Sequence, residues 1–133
     1  MEEPLDLPPR NYTWSRISPD GNRVAMAING DLWVSDINRP VLNRVTTSDE
    51  LEVFPLWSPD GRYLVFNQPT LNRLARTLAD GTGPIEPLIT IEGTNIISPG
   101  DWSDDGQFMT FSYGNTQQPR IGVLNMNPVN NDV

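Results

Sequence analysis

The sequence predicts an all-β fold made of three four-stranded repeats, on three observations. An apolar residue followed by Ser-x-Asp-Gly occurs three times, ending at Gly21, Gly61 and Gly106. These glycines lie 40 and 45 residues apart. A segment in which apolar residues alternate with others follows each copy. A period of about 40 to 45 residues with this alternation is typical of β-propeller blades, in which each repeat forms one sheet.

The first strand of each repeat is expected to end in a shared tight turn. An apolar residue precedes the turn in each copy, namely Ile17, Trp57 or Trp102. Proline suits the first corner of a type I turn, aspartate can accept bonds from nearby backbone N–H groups, and glycine takes the left-handed position. Asp104 replaces the proline in the third copy. The turn residues are Pro19, Asp20, Gly21, Pro59, Asp60, Gly61, Asp105 and Gly106.

The second strand of each repeat alternates between two faces, and short third and fourth strands follow it. One face of the second strand carries Val24, Leu64 and Met109 together with Met26, Phe66 and Phe111. The third strands are predicted at 31–37, 73–78 and 120–126, and the fourth at 43–47 and 87–90. These strands divide a single domain, 1–133, into units at about 14–47, 54–90 and 99–126. A sandwich of short strands is the alternative, but it does not explain the repeated turn.

The third unit lacks a fourth strand, and the N-terminus carries a candidate replacement. Shifting the first repeat by its period places Leu5-Asp-Leu7 over Val45-Thr-Thr47. We therefore expect a strand at 4–8 that completes the last blade. Because three blades cannot close a ring, the chain is predicted to form half of a six-bladed propeller that dimerisation completes. A fragment of a longer protein is the alternative.

Composition excludes several classes of function. The chain has no Cys, His or Lys, so thiolate and imidazole metal sites, Ser-His triads and Schiff-base lysines are absent. A net charge of −8 disfavours nucleic acid and anionic membranes as partners, and no apolar segment is long enough for membrane insertion. The first residues lack a secretion signal. The protein is expected in the cytoplasm if Met1 is native, and in the periplasm if a signal peptide was removed.

The repeat resembles the TolB-type, WD-like β-propeller repeat. The resemblance lies in the Ser-Pro-Asp-Gly motif, the basic or aromatic residue after it, and the later Leu32-Trp-Val-Ser-Asp36 segment. The unit from Trp57 to Thr90 matches best, and the third departs from the pattern at Asp104. Propellers of this kind usually have six or more blades. The resemblance implies an interaction platform, a peptidase gate or a sensor domain.

The connections from each fourth strand to the next first strand are predicted to line the channel mouth. The candidate ligand-binding residues there are Asp49, Glu50, Glu52, Glu92 and Asn95. An acidic, amide-rich rim favours a non-catalytic module that binds a protein or peptide. A gate or sensor fragment of a larger peptidase or receptor is one alternative. A calcium-dependent hydrolase with Glu92 and Asn95 as ligands is the other, in which case calcium is the cofactor.

Overall fold

The computed structural model describes residues 4–93, 95–115 and 117–126, and their regular structure is almost entirely β. Blade 1 contains β1 (Tyr12–Ile17), β2 (Arg23–Ile28), β3 (Asp31–Asp36) and β4 (Asn43–Arg44). Blade 2 contains β5 (Val53–Trp57), β6 (Tyr63–Gln68), β7 (Arg73–Leu78) and β8 (Glu86–Thr90). Blade 3 contains β9 (Asn95–Trp102), β10 (Phe108–Gly114) and β11 (Pro119–Asn125). A 3₁₀ turn, Pro69–Leu71, is the single helical element in the described ranges.

Each blade is an antiparallel meander, as the repeat predicts. The strand orders are β1-β2-β3-β4, β5-β6-β7-β8 and β9-β10-β11 among the described residues. Within a meander, successive connections alternate between the two ends of the sheet. The Ser-x-Asp-Gly turns therefore lie at one end of all three blades, which we call the turn end. The connections at 48–52, 69–72 and 91–93, and residues 115, 117 and 118, lie at the other end, the loop end. The all-β, bladed architecture predicted from the repeat is confirmed.

The blades pack face to face through two apolar cores. The front face of blade 2, with Leu64 and Phe66, packs on Ala25 and Ala27 of blade 1. The back face of blade 2 packs in the same way on blade 3, where Met109 and Phe111 are buried. The predicted alternation of β2, β6 and β10 is thus correct. It gives every blade one face toward its predecessor and one toward its successor.

The fourth strand of blade 1 is shorter than predicted. Asn43 and Arg44 pair with β3, but 45–47 do not extend the ladder. The reason is a side-chain bond, since the Thr46 hydroxyl accepts from the Leu32 backbone N–H at 2.9 Å. The N–H groups of Val45 and Thr46 both point to the Leu32 carbonyl instead. A side chain thereby replaces the regular pairing at this edge.

Two further boundaries differ from the prediction. The second strand of blade 2 continues two residues past Phe66, the last residue of the predicted alternation, because Asn67 and Gln68 are buried and pair with β7. The N-terminal residues 4–11 form no strand within a single chain. Leu5 and Leu7 lie instead beside Val24 on the front face of blade 1. No helix of the described part is long and apolar enough to cross a membrane.

Candidate functional site

The turn end is built from three copies of one hydrogen-bonded turn. In the second copy the Ser58 hydroxyl donates to the Asp60 carboxylate at 2.6 Å and accepts from the Tyr63 N–H at 2.9 Å. The same carboxylate oxygen accepts from the Arg62 N–H at 3.0 Å. The first and third copies repeat these contacts, and Gly61 has a φ of 75°. Each of the three turns thus combines a Ser–Asp hydrogen bond with a glycine in the left-handed region.

These bonds stabilise the charged form of the aspartates. The Ser58 hydroxyl lowers the pKa of the Asp60 carboxyl below its ordinary value of 3.8, against a smaller opposing effect of burial. The Ser18 hydroxyl lowers the pKa of Asp20, and the Ser103 hydroxyl that of Asp105, by the same mechanism. The recurring carboxylates are therefore explained by the turn itself and need no ligand.

The loop end contains a buried polar network centred on Glu52. Its side chain was predicted at an exposed rim, but the residue is 0% exposed. One carboxylate oxygen, Oε2, accepts from the Ser48 hydroxyl at 2.6 Å and from the Gln68 amide at 3.1 Å. Arg73 continues the network by donating to Gln68 at 2.7 Å. The other oxygen, Oε1, has no hydrogen-bond partner among the described residues.

The remaining sequence-predicted site residues surround this network unevenly. Glu50 accepts from the Thr70 hydroxyl, which ties the first connection to the 3₁₀ turn. Asp49, Glu92 and Asn95 are exposed. Asn95 lines a polar depression of about 430 Å³ together with Asn72, Gly93, Gly114 and Asn115. The structure therefore places all five candidates at the loop end, with Glu52 as the buried member.

Clustered carboxylates of the kind that commonly bind calcium are not found among the described residues. Calcium takes six to eight oxygen ligands, commonly from clustered carboxylates. Within the part of the chain that the structure covers, no group of three or more acidic residues could hold a metal. Glu92 and Asn95 alone do not provide such a donor set.

Two residues that sequence reasoning missed shape this end of the molecule. Gln68 on β6 and Ser48 in the connection at 48–52 both donate to the Glu52 carboxylate, which fixes its orientation. The one sequence signal was the unusual polar run Asn67-Gln68 directly after the apolar Leu64-Val-Phe66. Polar residues at the end of a buried strand indicate a buried hydrogen-bond network.

Comparisons with solved structures agree with this geometry. A protein assigned as TolB from Agrobacterium tumefaciens is 25% identical, with a TM-score of 0.74, over 90% of this chain and 46% of that one. TolB from Acinetobacter baumannii is 19% identical, with a TM-score of 0.69, over 90% of this chain and 31% of that one. A chain of a nidogen–laminin complex is 13% identical, with a TM-score of 0.72, over 88% and 45%.

The chain thus spans less than half the length of these proteins. No family model matches the sequence, and no curated protein shows a significant match. The repeated turn, the three face-packed meanders and the likeness to TolB structures agree with one another. The chain is therefore built from three β-propeller repeats of the TolB-like type.

Proposed function

We propose that this chain is a β-propeller interaction module whose loop end binds a basic segment of a protein or peptide. The observation that carries the proposal is the Oε1 oxygen of Glu52, which accepts no bond from a described residue. A buried acceptor without a partner costs free energy, and more so when it is charged. Because Ser48 and Gln68 cover Glu52, a bound segment reaches Oε1 only when the connection at 48–52 moves aside, and a cationic side chain would then supply the missing bond.

The surroundings of Glu52 support a basic ligand. Asp49 and Glu50 add negative charge to the same connection, and the whole chain carries −8. Such a field attracts cations and raises the rate at which they associate. The amide of Asn95 offers a donor and an acceptor along the neighbouring depression, and Asn115 offers its amide N–H groups, since its oxygen accepts from Gln117 and Gln118. A segment with one basic anchor and an extended backbone fits these contacts.

Selection from a random peptide library tests this proposal. Peptides selected on the wild-type protein should be enriched in Arg or Lys. Glu52→Gln keeps the shape of the side chain but removes its charge, and should weaken binding of the selected peptides at least tenfold. Asp36→Asn makes the same change in net charge at the turn end and serves as the control. Equal weakening by both variants, or enrichment of acidic peptides, would contradict the proposal.

We also propose that two copies of the chain complete one six-bladed ring. Ile17 on the front face of blade 1 is 62% exposed, although Trp57 at the equivalent position is buried between blades. Ile121 and Val123 on β11 of blade 3 are 70% and 63% exposed. In a two-fold dimer, the front face of blade 1 in one copy would pack on the exposed face of blade 3 in the second copy. The symmetry would form this contact twice, so both exposed faces would be covered.

The N-terminal segment supports a second copy as the occupant. Residues 5–7 lie over the front face of blade 1, which is the face that blade 3 of the other copy would meet in such a ring. From there the segment can pair with β11 of that copy and supply its fourth strand. Prolines at 4, 8 and 9 limit it to a short edge strand.

The solution mass tests the ring. We expect about 30 kDa, twice the 14.9 kDa of one chain, as two-fold symmetry requires. Deletion of residues 1–9 should shift the equilibrium toward monomer, and Val123→Glu should do the same. A folded monomer in dilute solution, or a dimer that neither change affects, would contradict the dimer and favour a fragment of a longer propeller.

A further inference from the structure

The two joints between blades are formed by equivalent residues but are closed differently. Between blades 1 and 2, the Arg23 guanidinium lies 4.6 Å from the centre of the Trp57 ring. It also donates to the Gly61 carbonyl at 2.7 Å, and Trp57 donates to the Arg16 carbonyl at 2.8 Å. An arginine of one blade thus stacks on the tryptophan of the next and bonds to its turn. We call this arrangement the closed joint.

The open joint, between blades 2 and 3, lacks that arginine. Tyr63 stands at the position of Arg23, and Trp102 at that of Trp57. Trp102 donates to the Gly106 carbonyl of its own turn at 3.0 Å instead of bonding to blade 2. A cleft of about 420 Å³ lies here, lined by Tyr63, Trp102 and Met126 among others.

The space beside the turn glycine shows the difference directly. A Cβ built on Gly61 would lie 3.2 Å from the Arg23 Nη2 atom, whereas one built on Gly106 would meet no described atom within 4 Å. The closed joint therefore shows what fits against this turn and its tryptophan, namely a planar cation.

The charge of the open joint favours the same kind of group. Asp60, Asp104 and Asp105 line the cleft, and Arg76 is the one basic residue among the described residues that line it. Arg76 is already engaged, since it stacks on Tyr63 at 4.6 Å and pairs with Glu86 at 3.3 Å. Three carboxylates against one arginine leave the cleft with a net negative charge.

We propose that the cleft between blades 2 and 3 binds a guanidinium group, in the place that Arg23 takes between blades 1 and 2. The group would stack on Trp102 and donate to the aspartates, since the Gly106 carbonyl already accepts from Trp102, and this arrangement suits the planar fork of arginine. The occupant we infer is an arginine side chain of a partner peptide. This site lies at the turn end, so it is independent of the function proposed for the loop end.

Titration with N-acetyl-L-arginine amide tests the site, because this probe carries the side chain without other charges. The indole N–H resonance of Trp102, assigned through Trp102→Phe, should shift and saturate with a dissociation constant on the order of 1 mM. The citrulline analogue has nearly the same shape without the charge and should bind at least fivefold more weakly. Free L-arginine is a second arm, and tighter binding of it would identify the free amino acid as the source of the guanidinium.

Two variants locate the binding. Tyr63→Arg introduces the missing arginine and should abolish binding by filling the cleft from within. Asp104→Asn removes a carboxylate that its turn does not need, because proline stands there in the other copies, and should weaken binding at least threefold. Asp36→Asn, at the same end of blade 1, should have no effect.

The proposal is overturned by any of three results. These are no saturable shift up to about 20 mM probe, equal binding of the citrulline analogue, or binding that Tyr63→Arg leaves unchanged. Should Tyr63→Arg fail to fold, Asp104→Asn decides, and unchanged binding in that variant overturns the proposal.

Discussion

The closed and open joints show how two copies of one repeat can acquire different surfaces. Both have the same turn geometry and a tryptophan before the motif. In the closed joint Arg23 crosses to the next blade, whereas in the open joint Arg76 stays within its own blade on Tyr63. The joint that an arginine of the second strand crosses is sealed, and the joint whose arginine lies on the third strand has a cleft.

This difference teaches that the repeat motif determines the shape of each blade but not the contact between blades. The bonds within the turn are local, spanning two to five residues. The bonds across the closed joint link residues 38 and 41 positions apart. Variation at the second position after the motif, where Arg23 and Tyr63 stand, can therefore alter a joint while every blade keeps its fold.

The largest expected effect comes from the apolar residues under the two joints. Phe66 is fully buried under the closed joint, and Phe66→Ala should reduce the free energy of unfolding by about 3–5 kcal/mol. Phe111→Ala under the open joint should cost a similar amount, because Phe111 is equally enclosed in the second core and does not line the cleft. Urea denaturation measures both. A loss below roughly 1 kcal/mol for Phe66→Ala would contradict its place in the joint.

An intermediate effect is expected for the arginine that seals the closed joint. Arg23→Ala removes a cation–π contact and a charged hydrogen bond, and should lower the free energy of unfolding by about 1–3 kcal/mol. Arg62→Ala is the matched control, since Arg62 is exposed and should cost under about 0.5 kcal/mol. If the two variants lost equal stability, the contrast between the joints would have no energetic basis.

The smallest effect concerns the turns, which should respond alike at both joints. The folded-state pKa values of Asp60 and Asp105 are lowered, so the charged carboxylates stabilise the folded protein at pH values above the ordinary pKa of 3.8. This stabilisation is lost as pH falls below that value, through the folded-state pKa. Urea unfolding should give a smaller free energy of unfolding at pH 3 than at pH 7. Ser58→Ala and Ser103→Ala should each make this difference smaller, and by the same amount. An unequal reduction would show that the joints act on the turns.

Much of the fold was predictable because its signals are local. The repeated turn located the β1–β2, β5–β6 and β9–β10 hairpins, and alternation assigned Phe66 and Leu64 to a buried face. The ends of strands were not predictable in the same way. β4 is cut short by the Thr46 hydroxyl, and β6 is lengthened by the pairing of Gln68 with Arg73. Both depend on partners that lie on other strands.

The candidate sites show the same division. Strand order alone decides the end at which a connection lies, which is why the loop end carries Asp49, Glu50, Glu52, Glu92 and Asn95. Their role in ligand binding stays a prediction. The sequence did not predict that Glu52 is buried with one oxygen unpartnered, since this depends on Ser48 and Gln68 packing over it. The cleft beside Trp102 was not predicted either, because it depends on how blade 3 packs on blade 2.

By itself the sequence determined the blades, since turn chemistry and the two-residue period of a strand act over a few neighbouring residues. The tertiary structure decided the joints and the burial of Glu52. Arg23 and Trp57 become neighbours only when two blades stack, and a guanidinium reaches a ring or a carbonyl according to the distance between sheets. Such distances result from the packing of whole faces, which the order of residues along one strand does not encode.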